Sequence, residues 1–177
     1  MKFDFNNHLN NEMLQQNRLK ARSYFIPYEN KAANAGNIAG TKNTTRCHSL
    51  SGKWNFAYYE NIREAFDIVE QTYTDEIIVP DVWQFAGYEK PFYINVAYPF
   101  PATPPYVPDC APGAVYNRKF SYKKAKNLSR SIITFQGVSA GFDLFINGKY
   151  VGYSQGSHYP SEFDVTDCLL GGENDIK

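Results

Sequence analysis

Asn147-Gly148 stands between two short apolar runs, and no other dipeptide in this chain restricts the fold as much. Asn-Gly suits a type I′ turn, whose backbone twist matches that of the strands on either side. Phe142-Asp143-Leu144-Phe145-Ile146 therefore runs in, and Lys149-Tyr150-Val151-Gly152-Tyr153 runs out, as an antiparallel hairpin. The same period of two recurs upstream: Trp54, Phe56 and Tyr58 alternate with Asn55, Ala57 and Tyr59. With 14 Tyr and 13 Phe the chain is rich in rings that pack well on a pleated surface. Further strands are predicted at Glu76 to Pro80, Val115 to Tyr122, Ser131 to Gln136 and Glu162 to Val165. In the second of these, Tyr116, Arg118, Phe120 and Tyr122 share a face. Gly171-Gly172-Glu173-Asn174 reads as a turn, and Asp175-Ile176-Lys177 as the start of one more strand. Short strands with regular turn signals, and no internal repeat, point to an all-β sandwich or jelly roll.

At 177 residues the chain is long enough for one domain and not comfortably two. Residues 1–48 form an arm, poor in β-branched residues, with a short helix expected over Asn10 to Arg22 and a loop over Asn30 to Thr45. Met13, Leu14 and Leu19 are the apolar contacts of that helix. The sandwich occupies 49–177, with a helical turn expected between Asn61 and Gln71. From Asp81 to Gly113 the chain carries most of its ten prolines. Proline cannot donate to a β-ladder, so this stretch is not a run of central strands. A long ordered loop in a compact domain is usually functional.

Charge and cysteine content exclude several classes. Eighteen basic residues balance eighteen acidic ones, so no net field draws the chain to nucleic acid or an anionic membrane. The one basic cluster, Arg118, Lys119, Lys123, Lys124 and Lys126, reads as a solvated loop or as protection of a sheet edge. Cys47, Cys110 and Cys168 have neither zinc-site nor disulfide-framework spacing. The polar start and the lack of a ~20-residue apolar stretch leave no secretory or membrane-spanning signal. A cytoplasmic location is expected, with reduced thiols.

From about Ser49 onward, five blocks in order resemble the N-terminal sugar-binding domain of glycoside hydrolase family 2, in its large bacterial β-galactosidase type. They are Leu50-Ser51-Gly52-Lys53-Trp54-Asn55-Phe56, Val79-Pro80-Asp81-Val82-Trp83-Gln84, the run from Gly87 to Pro99, the run from Asn147 to Ser157, and Pro160-Ser161-Glu162-Phe163-Asp164. In the arm the likeness is looser: Asp4-Phe5-Asn6-Asn7 stands where the family has D-W-x-N, and Asn17-Arg18 where it has N-R. The resemblance implies a jelly-roll, galactose-binding-like β-sandwich with an extended N-terminal arm and its last strands missing. It also implies a retaining glycosidase acting on terminal β-D-galactosides such as lactose. Retention needs two carboxyls roughly 5 Å apart across the scissile bond. In the family these are glutamates of a later (β/α)₈ barrel, which also holds magnesium. Both are expected beyond Lys177, so no catalytic residue and no cofactor is assigned to this chain. Mg²⁺, with Na⁺ as a second candidate, belongs to the complete enzyme. The expected partners are the β-galactoside, the enzyme's remaining domains and, as an open option, further copies in a homo-oligomer; nucleic acid and membrane are not among them.

The site residues implied are Asn95, which stands where a family asparagine bonds galactose hydroxyls, and Val96 as a neighbouring wall. An amide offers the donors and the acceptor that sugar hydroxyls require. The bland alternative is that Asn95 caps a turn. Trp83, Tyr88, Tyr93, Tyr98 and Tyr106 are candidates for sugar stacking, with domain-interface or core packing as the alternative. Glu162 and Asp164 share one strand face, as a carboxylate pair or as structural anchors. Asp4, Asn7 and Gln155 are a weak oxygen set for a hard cation. His8, His48 and His158 lack partner spacing. Three readings stay open: part of an enzyme, inactive alone; a stand-alone carbohydrate-binding module; and a fragment that complements missing domains. The third predicts an unpaired sheet edge near Lys177.

Overall fold

The computed structural model describes residues 6–31, 44–65, 70–95, 98, 100–101, 103–124 and 129–177. Its strands are β1 (Gln15–Gln16), β2 (Gly52–Tyr59), β3 (Asp75–Val79), β4 (Gly113–Tyr122), β5 (Ile132–Phe135), β6 (Phe142–Ile146), β7 (Lys149–Ser154), β8 (Ser161–Asp164) and β9 (Gly172–Ile176). One sheet runs β1-β7-β6-β9-β4-β2-β3; β5 and β8 pair separately. Every ladder is antiparallel. The chain is all-β, as the alternating aromatics predict.

The two sheets share one core. Trp54, Phe56, Leu144, Ile146 and Ile176 from the larger sheet meet Phe163 and Val165 from β8 and the turn after it. Phe163 is fully buried and contacts Phe135 and Phe142 edge-on, while those two rings lie 4.7 Å apart. Burying one such side chain is worth about 2–3 kcal/mol. Alternation puts Val115 and Phe145 on the opposite face of the large sheet, where they pack with Ala65, Ile62 and Tyr73 in a second, smaller cluster.

The Asn-Gly hairpin forms as predicted, with φ of +52° at Asn147 and +74° at Gly148. Asn147 does more than turn the chain. Its amide donates to the Cys168 carbonyl (2.9 Å) and to Asn174 Oδ1 (2.8 Å), and its Oδ1 accepts from the Asp175 N–H. Asn174, itself buried, binds the Leu170 N–H and carbonyl, closing the turn that launches β9.

Two expectations are corrected, and one is met. The helix over Asn10 to Arg22 does not form. Asn7–Leu9 makes a single 3-10 turn, Gln15–Gln16 pairs with β7, and Arg18 bridges to Phe163. Asn17 sits at φ +59°, which a right-handed helix does not accommodate, and gives its amide to the Val151 carbonyl instead. Contacts to the sandwich override local helix propensity here. Between Asn61 and Gln71 the expected helical turn is present, as the 3-10 turn Ile62–Glu64. Finally, β9 begins earlier than expected, at Gly172, and does not lie at a sheet edge: it runs between β4 and β6.

Candidate functional site

The long proline-rich loop between β3 and β4 has a locked base and an exposed tip. At the base, Val82 to Tyr88 folds into successive tight turns: the Phe85 N–H donates to the Val82 carbonyl, Gly87 to Gln84 and Tyr88 to Trp83. Gly87 takes φ +95°, which only glycine adopts without strain. Glu89 then folds back, so that Trp83 Nε1 and Gln84 Nε2 both donate to its Oε2 at 3.0 Å. The rings of Trp83 and Tyr88 lie on the core: Trp83 stands edge-on to Tyr58 at 5.6 Å, and Tyr88 is 4.8 Å from Phe56. The Tyr88 hydroxyl donates to Asp75, and that bond, with partial burial, pushes its pKa up to about 12. Trp83 and Tyr88 therefore belong to the packing of the domain.

Beyond Lys90 the character changes. Phe92, Tyr93, Ile94, Tyr98 and Tyr106 are all more than half exposed, Tyr93 at 75%. Asn95 is exposed among them, and its amide makes no hydrogen bond to another described residue. Val96 lies outside the described residues. The returning limb is tied down again: Arg63 Nε donates to Asp109 Oδ1 at 2.9 Å, and the Ile62 N–H donates to the Ala111 carbonyl at 3.0 Å. The loop is thus fastened at both ends and shows solvent an aromatic tip carrying one uncommitted amide.

The other candidates are engaged elsewhere. Glu162 Oε1 accepts from Arg22 (2.6 Å) and Thr134 (2.9 Å). Asp164 accepts from Arg130 and from the Thr166 hydroxyl and N–H; these bonds, the Thr166 hydroxyl first, hold its carboxyl below the usual carboxylate range. Two carboxylates held by separate cations and hydroxyls anchor the arm and the β8 turn, and neither is poised for proton transfer. Asn7 turns its amide nitrogen towards Asp143 Oδ1 (3.1 Å) and the Tyr150 hydroxyl (3.3 Å). Gln155 gives Nε2 to the Met13 carbonyl, and its Oε1 accepts from Tyr153. Asp4 lies outside the described residues. Asn7 Oδ1 is not engaged by the bonds to Asp143 and Tyr150, and no cluster of three His, Cys, Asp or Glu suited to a metal occurs among the described residues.

Sequence reasoning did not single out the residues that hold this arrangement. Glu89 fixes Trp83 and Gln84. Arg118 donates to the carbonyls of Leu50 and Ser51, both at 2.8 Å, and Trp54 Nε1 also donates to Leu50. Together they pin the chain where it enters β2, at which Gly52 takes φ +122°. Gly152 lies beneath β1, where an added Cβ would meet the Gln16 carbonyl oxygen at 2.3 Å. Of the positive-φ glycines, Gly148 and Gly172 were visible in the sequence as turn residues. Their long-range partners had no local signal.

A family model described as "Glycosyl hydrolases family 2, sugar binding domain" matches residues 47–177. The chain belongs to glycosyl hydrolase family 2. Its relatives include a β-galactosidase of Staphylococcus xylosus, 35% identical over 170 residues, covering 96% of this chain and 17% of that protein. A β-galactosidase of Leuconostoc mesenteroides is 44% identical over 137 residues, covering 72% of this chain and 13% of the relative. The chain therefore spans no more than 17% of the length of either family 2 relative. Among solved structures, an uncultured Clostridium β-glucuronidase superposes with a TM-score of 0.52 at 23% identity, over 73% of this chain and 21% of that one. The Faecalibacterium prausnitzii β-glucuronidase gives 0.52 at 20% identity, over 78% and 22%. These two likenesses are of fold. The blocks that resemble family 2 now have physical meaning: the opening block leads into β2 and is held by Trp54 and Arg118, and Pro160 to Asp164 supplies the Phe163 core ring with its flanking tethers.

Proposed function

We propose that this chain is the N-terminal domain of a β-galactosidase, a retaining enzyme of carbohydrate metabolism acting on terminal β-D-galactosides such as lactose. In this reading it presents Asn95 to the sugar, with Val96 as a wall, and docks the aromatic tip of its long loop against the remaining domains. The observation that carries the reading is the contrast within that loop: Trp83 and Tyr88 are locked into the core, while Phe92, Tyr93, Ile94 and Tyr98 stand in water around Asn95. An apolar patch of this kind marks a surface that another surface covers. An amide with no partner among the described residues retains its donors and its acceptor for hydroxyl groups. Relatives named β-galactosidase at 35% and 44% identity support the substrate class.

The catalytic carboxylates come from outside this chain, because Glu162 and Asp164 are spent on tethering. Magnesium, and sodium if the enzyme uses it, would belong to the complete enzyme. We read the sandwich as the jelly-roll, galactose-binding-like type. The free state of Cys47, Cys110 and Cys168 supports a reducing, cytoplasmic setting. Among the described residues, no helix is long and apolar enough to cross a membrane.

The test has two arms. Pure chain mixed with a chromogenic β-galactoside is expected to release no product, and sustained hydrolysis overturns the division of labour. In the complete enzyme, Asn95→Ala is expected to lower kcat/KM about tenfold, the value of about 1.4 kcal/mol of hydrogen bonding, with thermal stability unchanged. An unaltered kcat/KM removes Asn95 from the sugar site.

A further inference from the structure

Asn17, Glu89 and Asn147 are the non-glycine residues at positive φ among those described. Asparagine tolerates the left-handed region. Glu89, at φ +61°, is the exception: a glutamate takes that conformation only where its surroundings enforce it. Here the enforcement comes from its own carboxylate. Oε2 accepts from Trp83 Nε1 and from Gln84 Nε2, each at 3.0 Å, and hydrogen bonds to a charged acceptor are the strong ones. The Trp83 indole is in turn fixed by packing against the main core. Among the described residues no lysine or arginine pairs with Glu89, so these two neutral donors hold it. The ring of Tyr88, one residue before, lies 4.8 Å from Phe56; Lys90, one residue after, and the chain from there to Asn95 are exposed. The strained residue is therefore the point at which the chain leaves the core.

We propose that Glu89 is a positioning residue for Asn95: its carboxylate, hung from Trp83 and Gln84, sets the direction in which the loop leaves the core. The proposal rests on the reading that Asn95 bonds the sugar, and adds the group that aims it. Reach favours this anchor over the one on the returning limb. Asn95 is six residues from Glu89 and fourteen from Asp109, where Arg63 fastens the chain. The wander of a flexible segment grows with the square root of its length, so the shorter limb controls the tip. Pro91 stiffens that limb further by fixing its own φ and biasing Lys90 towards extended backbone. A limb of this length reaches at most roughly 20 Å, so a swing of about 10° at Glu89 displaces the tip by up to about 3 Å. Hydrogen bonds to sugar hydroxyls survive only small changes in distance, and misplacement by about 1 Å costs on the order of 100-fold in rate.

The experiment is a double-mutant cycle in the complete enzyme, with kcat/KM on a chromogenic β-galactoside and the melting temperature read for each variant. Glu89→Ala removes the acceptor and leaves Asn95 in place. It is expected to lower kcat/KM about as far as Asn95→Ala, roughly tenfold. Glu89→Gln keeps an oxygen of the same reach and is expected to stay within about threefold of the parent. In the Asn95→Ala background, Glu89→Ala is expected to cost nothing further, because a group that only aims an amide is idle once the amide is gone. Should Glu89→Ala fail to fold, Gln84→Met takes its place in the cycle. It removes one of the two donors and is expected to lower kcat/KM about threefold in the parent, and not at all in the Asn95→Ala background. An unchanged kcat/KM with a lowered melting temperature makes Glu89 a structural residue and overturns the proposal. Losses that add in the double variant overturn it too. So does a Glu89→Gln loss equal to that of Glu89→Ala, which assigns the effect to charge. If Asn95→Ala alone leaves kcat/KM unchanged, the sugar-site reading of Asn95 fails and the proposal with it. If Asn95→Ala lowers it and Glu89→Ala does not, the proposal alone fails.

Discussion

Asp143 is the most perturbed carboxyl among the described residues. Burial pushes its pKa up to about 6, against the opposing hydrogen bonds from Asn7 and Tyr150. A folded-state pKa above the unfolded value means that the fold favours the protonated form. The associated stability is fully present below about pH 4, is lost as pH rises to about 6, and changes no further above that. The shift of about two units corresponds to roughly 3 kcal/mol. Asparagine keeps an oxygen for Asn7 and Tyr150 and carries no charge. Asp143→Asn is therefore expected to raise stability above pH 6 by up to about 3 kcal/mol and to flatten the profile between pH 4 and 6. Denaturant titrations across that range check it; parallel profiles for the two proteins would show that Asp143 is not the titrating group. Gly152 gives a steric counterpart. A methyl there meets the Gln16 carbonyl at 2.3 Å and the Phe163 ring at 2.9 Å. Gly152→Ala should cost about 1–3 kcal/mol, read as a lowered denaturation midpoint. An unchanged midpoint would mean that β1 is not held against β7.

Among the elements, the β6–β7 hairpin joins local and distant order. Its turn was legible because Asn-Gly satisfies a purely local demand for two positive φ angles. Its second function was not legible, since Cys168, Asn174 and Asp175 are more than twenty residues away. Asn147→Ala removes both the tolerance for φ +52° and these bonds. The expected loss is about 2–4 kcal/mol, well beyond the few tenths usual at an exposed turn. Asn147→Gly separates the contributions, because it keeps the backbone freedom and loses the bonds. Equal stability for the Gly variant and the parent would reduce Asn147 to a turn residue. The arm shows the opposite case. Asn10 to Arg22 has enough apolar residues to suggest a helix, yet Asn17, Arg18 and Arg22 spend their side chains on Val151, Ser154 and Glu162 and hold the segment extended.

At the scale of the whole molecule, the domain is a sandwich with one incomplete surface, the aromatic loop tip, whose exposed rings make the isolated chain adhesive. Replacing Phe92 and Tyr93 by serine should reduce concentration-dependent association in sedimentation velocity without lowering the melting temperature, because both rings are exposed. Association unaffected by the double substitution would place the sticky surface elsewhere.

The sequence by itself determined the all-β class, the position of most strands, the hairpin turn and the exclusion of central strands from the proline-rich loop. These follow from alternation, from glycine and asparagine at positive φ, and from the N–H that proline lacks, which are properties of neighbouring residues. Only the tertiary structure decided that β9 runs inside the sheet, that Trp83 and Tyr88 face the core while Tyr93 and Tyr98 face water, and that Glu162 and Asp164 serve as tethers. Strand order and side-chain partnership are set by contacts between residues far apart in the chain. Period and propensity report which face of an element is apolar, and carry no information about which other element will cover it.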